Sequence, residues 1–196
     1  MGMDVSIRMA DEADAEELLE IYAPYVRNTA VSFEYEVPSV SEFARRIRQV
    51  LLKYPYLVAA EGHAAVGYAY ASAFKERAAY DWAVETSIYL RRDQRGKGLG
   101  KQLYLELEGI LKRQNILNLN ACIAYTPHPD DRLDNASMRF HERLGYRKAG
   151  HFTKCGCKFG TWYDMIWMEK IIGEHCGDPA PVIPVTLLPG ACPSSS

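Results

Sequence analysis

The sequence lacks a charge imbalance: 23 Lys and Arg stand against 25 Asp and Glu, a formal net charge of -2. That balance gives no general drive toward nucleic acid or an anionic membrane surface. No apolar run approaches the ~20 residues of a membrane span. The opening Met1-Gly2-Met3-Asp4-Val5-Ser6 lacks the basic-then-apolar pattern of a secretory signal. Cysteine is scarce and odd in number, five in all, and Cys155-Gly156-Cys157 has no second pair to accompany it. Structural zinc wants four ligands at regular spacings, so no metal is expected; reduced thiols in a cytoplasm are the reading. A P-loop is missing too, because Lys97 is followed by Gly98 where that motif needs Ser or Thr. There is no internal repeat.

What is present is an ordinary soluble composition, 48% hydrophobic and 24% charged over 196 residues, enough for one core. Alternation predicts strands at 5–9, 56–61, 65–74, 84–90, 118–125, 146–153 and 161–168. Helical spacing covers 11–27, about 41–53 with Ser39 or Ser41 as cap, 99–111, and 135–144 closed by Gly145. Five of the ten prolines follow Asp178. Residues 1–172 therefore read as one domain and 173–196 as a Pro-rich tail rather than a folded element. The fold class expected is α/β, a mixed sheet of six or seven strands with helices on both faces.

The densest signal lies between the strand at 84–90 and the helix at 99–111. It reads Arg91-Arg92-Asp93-Gln94-Arg95-Gly96-Lys97-Gly98-Leu99-Gly100-Lys101. Glycines let backbone N–H groups approach an anion, and a helix N-terminus adds partial positive charge. A pyrophosphate is the ligand this turn asks for. A dinucleotide fold fits poorly, since the next strand ends at Ala124-Tyr125 with no acidic residue.

Arg95-Gly96-Lys97-Gly98-Leu99-Gly100 resembles the Arg/Gln-x-x-Gly-x-Gly/Ala signature of the GNAT superfamily of N-acetyltransferases. Tyr80-Asp81-Trp82, Val84-Glu85-Thr86-Ser87-Ile88-Tyr89-Leu90 and Arg139-Phe140-His141-Glu142-Arg143-Leu144-Gly145-Tyr146 are similar to its phosphinothricin acetyltransferase branch. Tyr54-Pro55-Tyr56-Leu57 and Lys158-Phe159-Gly160-Thr161-Trp162-Tyr163-Asp164 extend the likeness, which spans roughly residues 4–170. The resemblance implies a GNAT fold with a splayed central strand pair and acetyl-CoA as cosubstrate. It implies that Arg95, Gly96, Lys97, Gly98, Leu99, Gly100 and Lys101 hold the pyrophosphate. It also implies a homodimer, with Trp162-Tyr163 as a candidate interface.

Acetyl transfer to an amine requires that the amine lose a proton, that the developing oxyanion meet donors, and that the thiolate be stabilised. Glu85, a carboxylate in an apolar strand, is the candidate base, acting directly or through water. His141 is the second catalytic candidate, near sulfur and amine, as acid or as base. A packed helix histidine bonded to a carbonyl is the alternative. The resemblance places oxyanion and pantetheine contacts on the backbone of Ile88, Tyr89 and Leu90. Asp134, Asn135 and Ser137 match a further coenzyme segment, with Asn135 supplying the amide. Residues 127–133 form a lid, an interface or a solvated loop. Phe33, Lys75, Arg77 and Tyr80 match acceptor-site positions; the two cations suit a carboxylate or phosphinate while an α-amine stays free. The implied acceptor is a small amino acid or an analogue such as phosphinothricin, methionine sulfoximine or methionine sulfone. The alternatives are a non-catalytic acetyl-CoA sensor, or an acetyltransferase for protein N-termini or polyamines.

Overall fold

The computed structural model describes residues 5–189. Seven strands form one sheet in the order β1-β2-β3-β4-β5-β7-β6. They are β1 Val5–Met9, β2 Tyr56–Glu61, β3 Ala64–Ala73, β4 Ala83–Leu90, β5 Asn118–Tyr125, β6 Arg147–Lys158 and β7 Thr161–Ile171. All neighbours are antiparallel except β4 and β5. That parallel pair stays in register only over Ala83–Glu85 against Asn118–Asn120. Beyond Glu85 the two strands part, and the gap is the expected splay.

Helices α1 (Ala15–Asn28) and α2 (Val40–Leu51) cover one face; α3 (Leu99–Arg113) and the short α4 (Ala136–Arg143) lie on the other. Ser39 caps α2, its Oγ accepting from Glu42 N at 3.2 Å. Leu103, Leu107 and Leu111 of α3 are fully buried against Val84, Leu119 and Ile166, each burial contributing about 1.5–3 kcal/mol. On the α1/α2 face the core is aromatic: Tyr56 and Tyr70 stack at 4.8 Å, and Tyr89 meets Tyr22 edge-on at 4.9 Å.

Two expectations change. Strand β6 continues five residues past Thr153, because irregularities between Lys148 and Gly150 and between Phe152 and Gly156 let it re-pair with β7 through Lys158. Simple alternation cannot register across such bulges. A two-residue turn, Phe159 and Gly160 with φ of 53° and 73°, then closes the hairpin.

The second change concerns the tail, whose residues 173–189 dock on the domain. Val185 and Leu188 are buried in the α3-side core. Val185 N donates to Lys53 O at 2.9 Å, and Trp82 Nε1 donates to Ala180 O at 2.8 Å. The fully buried Gln114 donates its Nε2 to both Lys53 O and Ile183 O at 2.7 Å. Proline removes donors but not acceptors, so a Pro-rich strap can be held by side chains donating to its carbonyls. Residues 190–196 lie outside the described residues.

Candidate active site

The glycine turn is built as the sequence suggests. Gly98 is the residue before α3 and adopts φ 86°, ψ -8°; Gly96 has φ 78°. A Cβ at either position would meet nothing within 4 Å, so glycine is needed for backbone conformation and the space beside the turn is open. No acidic residue sits in the first turn of α3. Gly100 has a different role: a Cβ there would come 3.1 Å from the Phe140 ring and 3.4 Å from Ile88, so its absence lets α4 and β4 close on α3. Leu99 is core. Arg95 lies over the Tyr25 ring at 5.1 Å, Lys97 Nζ donates to Gln94 Oε1 at 3.1 Å, and Lys101 is exposed. An anion with spaced negative charges fits this open, N–H-lined, cation-flanked turn.

A cavity lies in the gap between β4 and β5. Its lining includes Thr86 to Tyr89, Ala121 to Ala124, Asp134 to Ser137, Tyr104 and His141. Peptide direction alternates along β4. Trp82 O accepts from Asn118 N and Val84 O from Asn120 Nδ2, both toward β5, whereas Ala83 O accepts from Phe74 N and Arg91 N donates to Val66 O, toward β3. Hence Thr86, Ile88 and Leu90 present their peptide groups to the gap and Tyr89 does not. Tyr25 occupies Leu90, its hydroxyl donating to Leu90 O at 2.6 Å and accepting from Leu90 N at 3.3 Å. Of the three residues expected to meet pantetheine and the oxyanion, Ile88 and Leu90 face the gap, Leu90 bridged by Tyr25, and the Tyr89 peptide faces β3.

Glu85 stands where the pairing of β4 with β5 ends. Its side chain shares the α1/α2 face with Tyr70 and Tyr89. Burial raises its pKa above the ordinary carboxylate value, and Lys75 opposes that rise. Lys75 also lies over the Phe74 and Trp167 rings at 5.1 and 5.7 Å, and Tyr80 packs edge-on to Phe74 at 6.0 Å. Lys75, Tyr80 and Glu85 are thus brought to one rim. Arg77 is exposed, at the start of the short helical turn Ala78–Tyr80, and its side chain makes no hydrogen bond or ion pair among the described residues. Phe33 packs on Tyr163 at 6.5 Å, in a small cluster with Leu133 and Val31, which line the cavity.

His141 lies on the opposite face from Glu85 and is 3% exposed. Its Nδ1 is 2.8 Å from Ser137 O, a contact only a protonated Nδ1 can make, so Nε2 is the acceptor of a 2.9 Å bond from the Tyr104 hydroxyl. Burial lowers the pKa to about 4, so the ring is neutral at neutral pH. The packed-histidine alternative therefore describes its bonding, while its place in the cavity wall keeps it beside the reacting region.

Asn135 lines the cavity while its amide bonds the main chain of Thr126, Nδ2 donating to Thr126 O at 2.7 Å and Oδ1 accepting from Thr126 N at 3.1 Å. It fixes the end of β5 to the start of α4. Asp134 Oδ1 accepts from Ala136 N at 2.9 Å in the turn that leads into α4. Residues 127–132 are exposed, and the segment is tied to the domain at its C-terminal end. Ala30 N donates to Arg132 O, Arg132 Nη1 donates to Asn28 O, both at 3.0 Å, and Leu133 is buried.

Three cavity or near-cavity residues escape sequence reasoning: Tyr104, Tyr25 and Cys122. Tyr104 is one turn beyond Gly100 on α3 and looks like core. Cys122 lines the cavity, and the surrounding protein first and Glu85 second push its thiol up to about 12.

The sequence profile of the acetyltransferase (GNAT) domain family matches residues 7–167. A phosphinothricin N-acetyltransferase of Streptomyces viridochromogenes is 34% identical, over 93% of this chain and 95% of its own length. An L-methionine sulfoximine/L-methionine sulfone acetyltransferase of Pseudomonas paraeruginosa is 36% identical over 85% of this chain and 94% of its own. Among solved structures, a GNAT superfamily phosphinothricin acetyltransferase of Sinorhizobium meliloti in complex with AcCoA superposes with a TM-score of 0.81. It is 38% identical, covering 91% of this chain and 94% of the other. The chain belongs to the GNAT family of acetyl-CoA-dependent N-acetyltransferases.

Proposed function

We propose that the protein acetylates the primary amine of a small α-amino acid analogue of the phosphinothricin or methionine sulfoximine/sulfone type, by direct attack. The observation that carries this reading is Glu85, a half-buried carboxylate of raised pKa at the end of the β4–β5 pairing, with Lys75 as the cation nearby. Bound acetyl-CoA supplies an activated acyl carbon. The 95–101 turn holds its pyrophosphate. The Ile88 N–H, aimed into the gap, meets charge that develops on the carbonyl oxygen. Glu85 takes the amine's proton, directly or through water. Lys75, with Tyr80 and Phe33, seats the acceptor and neutralises its acidic group. Arg77 completes the rim by turning inward when an anion is present. On the other face, neutral His141 and the Tyr104 hydroxyl that donates to it line the cavity near the leaving sulfur, which needs little help because a thiolate is already a good leaving group.

A cation at the rim disfavours polyamines. The reading includes a cytoplasmic homodimer, supported by free thiols at Cys122, Cys155, Cys157 and Cys176 and by exposed Phe152 and Trp162 on the β6–β7 hairpin.

The test is CoA-thiol release from acetyl-CoA against a panel of phosphinothricin, L-methionine sulfone, neutral amines, polyamines and peptide N-termini. Saturable release with the first two supports the reading. Tight acetyl-CoA binding with no amine accelerating release identifies a sensor instead.

A further inference from the structure

Among the described residues Lys158 is the one buried lysine, 2% exposed, and it has no carboxylate within ion-pair distance. It sits at the end of β6, where its Nζ donates to Val26 O at 2.8 Å, Thr29 O at 2.9 Å and Ser32 O at 2.5 Å. An ammonium has three donors, and each here meets one carbonyl. Those carbonyls lie in and just beyond the last turn of α1, where unpaired acceptors and the negative end of the helix dipole favour a cation. The cap comes from a strand more than 120 residues away in sequence.

The two preceding residues grip the same loop. A Cβ on Gly156 would lie 2.2, 2.6 and 2.7 Å from three carbons of the Phe33 ring, so that ring rests against bare backbone. Cys157 O accepts from the Tyr35 hydroxyl at 2.5 Å. Three successive residues of β6 thus hold residues 26–35 by a charge, a missing side chain and a carbonyl. The Cys155-Gly156-Cys157 motif, which fits no metal pattern, finds its purpose in its glycine and in the main chain of Cys157.

We propose that Gly156-Cys157-Lys158 is a clasp that sets the position of the acceptor loop, with Lys158 as a positioning residue and Gly156 as a specificity-determining one. The proposal rests on the reading of Phe33 as an acceptor-site residue. Its consequence is that the acceptor wall is set by the far hairpin together with the flanking helices, whose Tyr22 hydroxyl lies 2.7 Å from Ser32 Oγ and whose Arg46 Nη1 donates to Glu34 Oε1 at 2.8 Å. Moving the clasp changes acceptor recognition and leaves the coenzyme turn alone.

Two-substrate initial-rate kinetics with acetyl-CoA and L-methionine sulfone provide the test. Gly156→Ala forces the Phe33 ring aside, and the acceptor KM should rise roughly tenfold while the acetyl-CoA KM stays within about twofold. In the Phe33→Ala background the same change should add little, because the clash is gone. An unchanged acceptor KM, or full additivity, overturns the clasp. Lys158→Met is read by hydrogen exchange, which needs no acceptor. Faster exchange of residues 31–35 with α3 unchanged supports the proposal; unchanged protection of 31–35 overturns it. Should Lys158→Met fail to fold, the Gly156/Phe33 cycle decides. If the wild type acetylates no amino-acid analogue, the functional reading fails by itself and exchange still judges the clasp.

Discussion

The two substrate sides of this protein are built on different principles. The proposed coenzyme side is made of backbone: two left-handed glycines, the start of α3 and the Ile88 peptide, all within residues 88–101. The proposed acceptor side is made of side chains from four distant places: Phe33, Lys75 and Tyr80, Glu85, and the hairpin at 156–158. A backbone site needs only local conformation and is the same for every acceptor. A side-chain site can be retuned one residue at a time. A chain built this way keeps its cosubstrate while its amine changes.

The contrast can be broken or sharpened experimentally. The largest effect should come from Glu85→Gln, which lowers kcat by about 10²–10⁴ while acetyl-CoA binding, measured by calorimetry, is unchanged. Loss of acetyl-CoA affinity would mean the two sides are not separable. Next, removal of residues 173–196 strips Val185 and Leu188 from the core and should cost on the order of 3 kcal/mol in urea unfolding. An unchanged midpoint would show that the tail only rests on the domain.

A comparable effect concerns His141 and acid. Its pKa is lowered to about 4 in the folded protein from 6.5. A lowered imidazole pKa means the unfolded chain binds the proton more readily. Stability from this group is therefore complete above pH 6.5 and declines as pH falls toward 4, by about 3 kcal/mol across the window. His141→Phe should abolish that part of the slope in denaturation measured at several pH values. A slope that survives would place the titration elsewhere. The smallest effect is expected for Gly98→Val. Its φ of 86° strains a β-branched residue by about 1–2 kcal/mol, and the side chain enters the open space proposed for the pyrophosphate, read as a roughly tenfold rise in acetyl-CoA KM. A rise in acceptor KM instead would contradict the division.

The same division explains what could be read from the sequence. The turn at 95–101, the strand with Glu85 and the α3 stripe of Leu103, Leu107 and Leu111 are local patterns, and each appears where its spacing places it. The family resemblance suggests Phe33, Lys75, Arg77 and Tyr80 as acceptor residues. Other features depend on contacts between distant segments. Tyr25 closing on Leu90, Asn135 folding back on Thr126, Tyr104 meeting His141 and Lys158 capping α1 leave no periodic trace. Asn135 is an example: its amide holds the Thr126 peptide, a contact that only the fold brings near. The tail misleads for a related reason. Proline suppresses helix and strand signals but does not prevent docking, and the donors that hold it belong to Trp82 and Gln114.

The central claim is that Glu85 removes the proton that separates an ammonium from a nucleophile. The direct measurement is kcat of wild type and Glu85→Gln with L-methionine sulfone as pH is raised through and past the pKa of the free amine. An amine that arrives already deprotonated needs no base. The account predicts that the variant's deficit narrows steadily as pH rises; a deficit of constant size at every pH would contradict it.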